Sequence, residues 1–228
     1  MIGIIGAMQQ EVEILKAMMN IQHVEKVMHV AFTVGTLHDK EVVLLESGIG
    51  KVNVAVATTL LMEKFKPTCV INTGSAGGIQ ETAEVGDVVL SETVAYHDVD
   101  VTGFGYAFGQ VPGLPAVFEA DPQLILKVED VLKKAGVRYF KGQIVTGDAF
   151  VHHLEPLNKI KENFIQAVAL EMEAAAVAQV CHLADVPFVV VRALSDIAGK
   201  ASHLSFEEFL PTAAEASSQM VAALVNML

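Results

Sequence analysis

The strongest constraint on this chain is an apolar run that ends in an acid, Pro187-Phe-Val-Val-Val-Arg192-Ala-Leu-Ser-Asp196. Five of its first six residues are apolar and three are consecutive valines. A β-branched run without alternation reads as a strand buried on both faces, as in the parallel sheets of α/β proteins. Arg192, Ser195 and Asp196 arrive together at its carboxyl end, and in open α/β sheets ligands bind just beyond that end. An aspartate delivered there by a rigid strand is a candidate catalytic acid. A Ser-Asp pair also caps the helix that follows an ordinary core strand, and on the strand alone the cap is the stronger reading.

The remaining pattern alternates between strand and helix. Residues 2–6, 28–36, 40–46, 68–73, 86–97, 139–147, 166–170 and 187–194 read as strands. The second and third of these are expected to pair antiparallel around His38-Asp39. Helices are expected over 9–19, 51–65, 121–135, 154–163, 171–183 and 205–227, with Asp121 capping the third, Pro122 at its first position and Pro211 near the start of the last. Gly74 to Gly78 reads as a loop. Residues 101–119, rich in Gly, Pro and Phe, read as a long functional loop. The class this predicts is α/β, a single domain over residues 1–228 with a central mixed twisted sheet flanked by helices on both faces.

A formal charge of −12 argues against nucleic acid and anionic membrane as partners, since both need clustered Lys and Arg. Cys69 and Cys181 lie in or beside apolar segments and read as buried thiols in a reducing compartment. The amino-terminal Met-Ile-Gly-Ile-Ile-Gly-Ala-Met8 is short, lacks a basic leader and reads as a first strand. No apolar run reaches transmembrane length. The expectation is a cytoplasmic protein.

Several motifs fail on spacing. Gly3-Ile-Ile-Gly6 lacks a glycine of the dinucleotide fingerprint. Gly48-Ile-Gly50-Lys51 is not a phosphate loop, because Leu45 replaces its first glycine and Val52 its magnesium-holding hydroxyl. His152-His153 lacks the spacing of a metal pair. The neighbours in His97-Asp98-Val-Asp100 would be separated by strand alternation. Gly74-Ser75-Ala76-Gly77 misses the nucleophile elbow. No metal or cofactor is expected.

Four strand ends remain. The first delivers Met8 and Glu11 into the opening turn of a helix, where the dipole favours an anion and hence a base. An ordinary helix-start acid fits as well. Thr73-Gly-Ser-Ala-Gly-Gly78 brings backbone amides near a ligand, or is simply a tight turn. Glu171-Met172-Glu173 places two acids in an apolar stretch. Two residues apart on a helix, they would point to different faces, so at most one should reach a shared site. Arg192 could orient Glu173 by a bidentate hydrogen bond. Three acids from distant parts of the chain suggest paired acid–base chemistry, in which one group protonates a leaving group and another activates water.

At this point the sequence resembles the bacterial 5′-methylthioadenosine/S-adenosylhomocysteine nucleosidases, within the nucleoside phosphorylase fold family. The resemblance spans nearly the whole chain. It rests on Gly3-Ile-Ile-Gly-Ala-Met8 with Glu11, Ser47-Gly-Ile-Gly-Lys-Val52, Ile71-Asn-Thr-Gly-Ser-Ala-Gly-Gly78 and Tyr96-His-Asp-Val-Asp-Val101. Phe104-Gly-Tyr106, Gly147-Asp-Ala-Phe150, Glu171-Met-Glu173 and Val189-Val-Val-Arg192 through Asp196 complete it. It implies that Asp196 protonates the imidazole-ring nitrogen of adenine and that Glu11 activates the attacking water. Glu173 would hold the ribose hydroxyls with the Met172 backbone, positioned by Arg192. Phe150 would stack on adenine, the Val151 backbone would read its edge, and Ser75 and Gly77 would line the ribose region beside Ser195. Met8, Ile49 and Phe206 would form apolar walls. Val101, Phe104, Tyr106 and Pro112 would cover the alkylthio group from the second subunit of a homodimer. An apolar, aromatic surround suits a thioether. The implied substrates are methylthioadenosine, S-adenosylhomocysteine and 5′-deoxyadenosine. Gln9-Gln10 replaces acids common before Glu11, and Val151-His152-His153 departs from the usual sequence.

The fold also hosts phosphorylases, so it does not decide the nucleophile. Phosphate is typically held by arginines, and the chain has only Arg138 and Arg192. With Arg192 committed to Glu173 and Arg138 in a surface turn, water is the expected nucleophile. Phosphorolysis is the alternative, with a non-catalytic nucleoside-binding module or an interaction scaffold as further classes.

Overall fold

The computed structural model describes residues 1–199 and 202–228, and side chains for all of these except 202–205. Ten strands form one mixed sheet: β1 (Ile2–Gly6), β2 (Asn20–Val27), β3 (Val30–Leu37), β4 (Lys40–Glu46), β5 (Cys69–Gly78), β6 (Val88–Tyr96), β7 (Phe118–Glu119), β8 (Tyr139–Thr146), β9 (Ala167–Glu171) and β10 (Phe188–Ile197). The helices are α1 (Gln9–Met18), α2 (Lys51–Phe65), α3 (Pro122–Ala135), α4 (Leu154–Asn163), α5 (Ala174–Ala184) and α6 (Ser202–Met227).

The expected elements are present, with informative exceptions. The β2 strand was not anticipated. It is an edge strand, paired only with β3, and most of its side chains face water, so it carries no apolar alternation to read. The expected loop at Gly74–Gly78 is instead the second half of β5, buried throughout. The expected helix over 171–183 starts late: Glu171 ends β9, and α5 begins at Ala174. The third helix behaves as read. Asp121 Oδ1 accepts from the Leu124 amide at 2.9 Å, Pro122 opens the first turn, and Gly136 ends it at φ 65°.

The sheet closes on part of itself, which the alternation of elements does not reveal. Strand β10 pairs parallel with β5 and antiparallel with β6, and the ladder continues through β8 and β9 back to β5. The path β1-β4-β3-β2 extends from β5 as an open wing. One core lies under α2 and α5, built from Val54, Ala57, Leu61 and the alanines of α5. A second lies under α1, α3 and α6, with Leu15, Val128, Leu132 and Val221 against Ile4, Leu44 and Val189. A smaller cluster packs α4. Among the described residues no helix is long and apolar enough to cross a membrane.

The closure places the site. Pairing of β5 with β1 ends at Asn72, and pairing with β9 begins at Gly77. Between these points β5 lacks a backbone partner on that side, and buried amides there need side-chain acceptors.

Candidate active site

Glu11 fills that gap. Its Oε1 accepts from the Ser75 amide and the Ser75 hydroxyl, both at 2.9 Å. Its Oε2 accepts from the Ala7 and Met8 amides at 2.9 and 3.1 Å. A buried carboxylate thus completes the hydrogen bonding where β1 ends and where β5 lacks a partner strand, and both oxygens act as acceptors. Gly74, at φ 140°, lets this happen. A Cβ there would lie 2.5 Å from Glu11 Oε1 and 2.8 Å from Arg192 Nη1, closer than side-chain carbons approach.

Arg192, 1 % exposed, lies beneath this group. Its Nη2 donates to Glu171 Oε2 at 2.5 Å and Asn72 Oδ1 at 2.9 Å, and its Nη1 to the Ser75 carbonyl at 3.2 Å. Glu173 Oε2 is 3.4 Å from Nη2. The expected bidentate pair of Arg192 with Glu173 is therefore not formed, and the principal partner is Glu171. Glu171 also accepts from the Thr146 hydroxyl at 2.5 Å and from the Glu173 and Ala174 amides at 2.9 and 2.8 Å. These contacts occupy Glu171 fully. Sequence reasoning assigned it no role. Its signal was position, since it closes a buried strand at the level of the Arg192 guanidinium.

Glu171 and Glu173 both line the cavity, contrary to the expectation that at most one would. Glu171 ends β9 and Glu173 lies in the turn before α5, so helical spacing does not separate them. Glu173 Oε1 accepts from the Gly50 amide at 2.8 Å. Burial pushes its carboxyl up to about 7, with the nearby Arg192 opposing the rise.

Asp196 belongs to β10 itself, not to a segment beyond it. A bulge between Leu194 and Asp196 sets Asp196 opposite Gly77. Among the described residues only the Ser195 hydroxyl donates to it, at 3.0 Å to Oδ1. Burial pushes its carboxyl from 3.8 to about 6, and the Ser195 hydrogen bond opposes the rise. The site holds two differently treated acids: Glu11 with four donors, and Asp196 with one donor and an apolar surround that favours its neutral form.

These groups border a cavity of about 340 Å³. Met8, Glu11, Ile49, Ser75, Gly77, Phe150, Val151, Met172, Glu173, Arg192, Ser195, Asp196 and Phe206 all line it. Phe150 meets Phe206 edge-on at a centroid distance of 5.8 Å. His152 stacks on Phe150 at 6.2 Å but does not line the cavity. Val101, Phe104, Tyr106 and Pro112 are not brought to this cavity within one chain, and Phe104 is 86 % exposed. A larger hollow of about 650 Å³ lies elsewhere and contains none of the candidate residues. Its Asp121 is already the cap of α3. Among the described residues no group of three or more His, Cys, Asp and Glu is arranged to hold a metal ion.

Residues 1–226 match the sequence model of the phosphorylase superfamily. A 5′-methylthioadenosine/S-adenosylhomocysteine nucleosidase of Staphylococcus aureus (strain MRSA252) is 52 % identical over 228 residues, all of both chains. The enzyme of that name from Bacillus subtilis (strain 168) is 50 % identical over 228 residues, covering 100 % of this chain and 99 % of the relative. A crystal structure of the Neisseria meningitidis enzyme of that name, in complex with methylthio-immucillin-A, matches with a TM-score of 0.97 at 48 % identity. It covers 100 % of this chain and 99 % of that one.

Proposed function

This chain belongs to the phosphorylase superfamily, and on that premise we propose how its cavity works as an N-glycosyl hydrolase. The enzyme cleaves 5′-methylthioadenosine and S-adenosylhomocysteine to adenine and the 5-substituted ribose, as the relatives named for that activity do. We read 5′-deoxyadenosine as a third substrate. Asp196 gives its proton to the imidazole-ring nitrogen of adenine while the bond from the anomeric carbon to the base breaks. The electron pair of that bond then leaves on a neutral purine. Glu11 takes a proton from water as the water oxygen bonds to the anomeric carbon, and the two carboxyl groups exchange roles until solvent resets them.

Glu173 and the Met172 backbone hold the ribose hydroxyls. Phe150 stacks on the base, the Val151 backbone reads its edge, and Ser75, Gly77 and Ser195 border the sugar. Met8, Ile49 and Phe206 supply apolar walls. Arg192 positions this set through Glu171. The observation that carries the reading is the pairing, in one cavity, of a carboxyl biased toward its protonated form at Asp196 with the four-donor carboxylate of Glu11.

The cation inventory supports water over phosphate. Arg192 is engaged by Glu171, Asn72 and the Ser75 carbonyl. Arg138 pairs at the surface with Glu84 and Asp87 and donates to the Thr82 carbonyl. Neither is left for an anion that needs strong donors. Adenine release is therefore expected at the same rate with and without inorganic phosphate, with the free ribose still carrying its 5-alkylthio group as co-product. Formation of a sugar 1-phosphate would overturn this reading.

We further read the chain as one domain over residues 1–228 and as half of a homodimer, with Val101, Phe104, Tyr106 and Pro112 completing the partner's alkylthio subsite. The exposed Phe104 ring supports that assembly, because so large an apolar surface favours cover. The two buried free thiols, Cys69 and Cys181, support a cytoplasmic setting.

A further inference from the structure

Two motifs rejected for their usual chemistry meet in the fold. Gly48-Ile-Gly50-Lys51 failed as a phosphate loop, and His97-Asp98 failed as a metal site. The Lys51 ammonium instead sits on Asp98, 2.8 Å from Oδ1 and 2.7 Å from Oδ2. The Asp148 amide donates to the same Asp98 Oδ2 at 2.9 Å, and the Lys51 amide donates back to Asp148 Oδ1 at 2.8 Å. Three chain segments are thereby tied in a closed ring: the turn into α2, the end of β6 and the end of β8.

The ring lies behind the cavity wall, since none of its members lines the cavity. Its neighbours do. Ile49 precedes Gly50, whose amide holds Glu173 Oε1, and Phe150 follows Asp148 by two residues. Close fit reinforces the ring. A Cβ at Gly50 would lie 3.0 Å from Asp148 Oδ1, and one at Gly147 would collide with the His97 ring.

We propose that Lys51 is a positioning residue: clamped to Asp98 and Asp148, it fixes the Gly50 amide on Glu173 and sets Ile49 and Phe150 in the cavity wall. The proposal rests on Glu173 anchoring the ribose. Surface ion pairs usually contribute little. This pair differs, with side chains only 23 % and 28 % exposed and the lysine also over the Tyr96 ring at 5.4 Å. Burial alone would raise the Asp98 carboxyl. Donation from Lys51 and from the Asp148 amide outweighs it and holds Asp98 below its ordinary value. Asp98 is therefore charged at neutral pH.

Steady-state kinetics with methylthioadenosine test this through Lys51→Met, Lys51→Arg, Asp98→Asn, Glu173→Gln and the double variant Lys51→Met/Glu173→Gln. Lys51→Met is expected to raise KM about tenfold while kcat falls less than about threefold, because binding geometry and not proton transfer is disturbed. Lys51→Arg restores most of the loss. Asp98→Asn shifts KM in the same direction and stands in if Lys51→Met does not fold. In the Glu173→Gln background Lys51→Met adds clearly less than it does in the parent, because the part of its effect carried by Glu173 is already lost and only the part carried by Ile49 and Phe150 remains. If Glu173→Gln raises KM but Lys51→Met and Asp98→Asn leave it unchanged, the clamp is refuted and the anchor stands. Full additivity in the double variant likewise refutes the clamp alone. If Glu173→Gln leaves KM unchanged, both the anchor and the clamp are refuted.

Discussion

Replacing Asp196 by Asn should make the protein more stable and nearly inactive, and the two effects have one origin. The fold buries this carboxyl and, among the described residues, gives it one hydrogen-bond donor, Ser195. Raising it from 3.8 to about 6 means that the charged form is disfavoured by roughly 3 kcal/mol, at about 1.4 kcal/mol for each tenfold. The sign follows from where the proton binds. The native state holds the proton more tightly than the unfolded chain. Protonation therefore stabilises the fold at low pH, and that stabilisation is lost as pH rises from 3.8 through about 6. An amide carries no charge to bury. At pH 8 Asp196→Asn should escape up to about 3 kcal/mol of destabilisation, and at pH 4.5 only about 1 kcal/mol. The stability advantage of the variant over the parent should narrow by about 2 kcal/mol between these values, whatever the amide's own packing, because other titrating groups are common to both proteins. Denaturant unfolding at one protein concentration measures this, and adenine release at pH 7 should fall at least about 10²-fold, the usual scale for a general acid. A gap that does not change with pH would refute the buried, proton-retaining Asp196, as would near-normal turnover.

Glu11→Gln should lower turnover at least about 10²-fold. It should also destabilise by about 1–3 kcal/mol, because the amide nitrogen must face donors at one end of the group. Retention of kcat would remove Glu11 from the chemistry. Arg192→Met should destabilise by about 3–5 kcal/mol, since it strands Glu171 and Glu173 without their buried cation. The loss should be smaller at pH 6 than at pH 8, because Glu173, pushed up to about 7, is then more often neutral. Equal denaturation midpoints for variant and parent at both pH values would show that the cation is not compensating these acids.

Much of this was legible in the sequence, and the failures have physical reasons. The valine run of β10 and the Asp121-Pro122 start of α3 are local signals that tertiary structure had no cause to override. Strand β2 escaped because an exposed edge strand has no buried face to pattern it. Gly74 to Gly78 was read as a loop because glycine and serine have low strand propensity. Pairing with β10 and with the Glu11 carboxylate supplies what propensity does not. Glu171 and Glu173 were assigned to a helix because the alanines after them continue the apolar pattern, and nothing local marks where β9 stops. Arg192 was given only its weaker glutamate partner, Glu173, for the same reason. Its choice depends on a two-residue turn joining elements whose registers are set by other strands. The cavity residues were reached through the resemblance more than through their spacing, since they come from or just after six strands, β1, β4, β5, β8, β9 and β10, and from α6, which only the folded sheet brings together.

The bulge between Leu194 and Asp196 makes Ser195 a surplus residue. Opposite it, β5 passes from Ala76 to Gly77 without a counterpart. Side chains along a strand alternate in direction, so this surplus decides which side of the sheet receives the acid. Position 195 is therefore constrained in number as well as in kind. A chain that lost one residue here could keep its valine run, its core and its pairing as far as Leu194, yet present the carboxyl to the opposite face. A family built on this sheet can explore side chains freely at many positions while its length between the buried valines and the acid stays fixed.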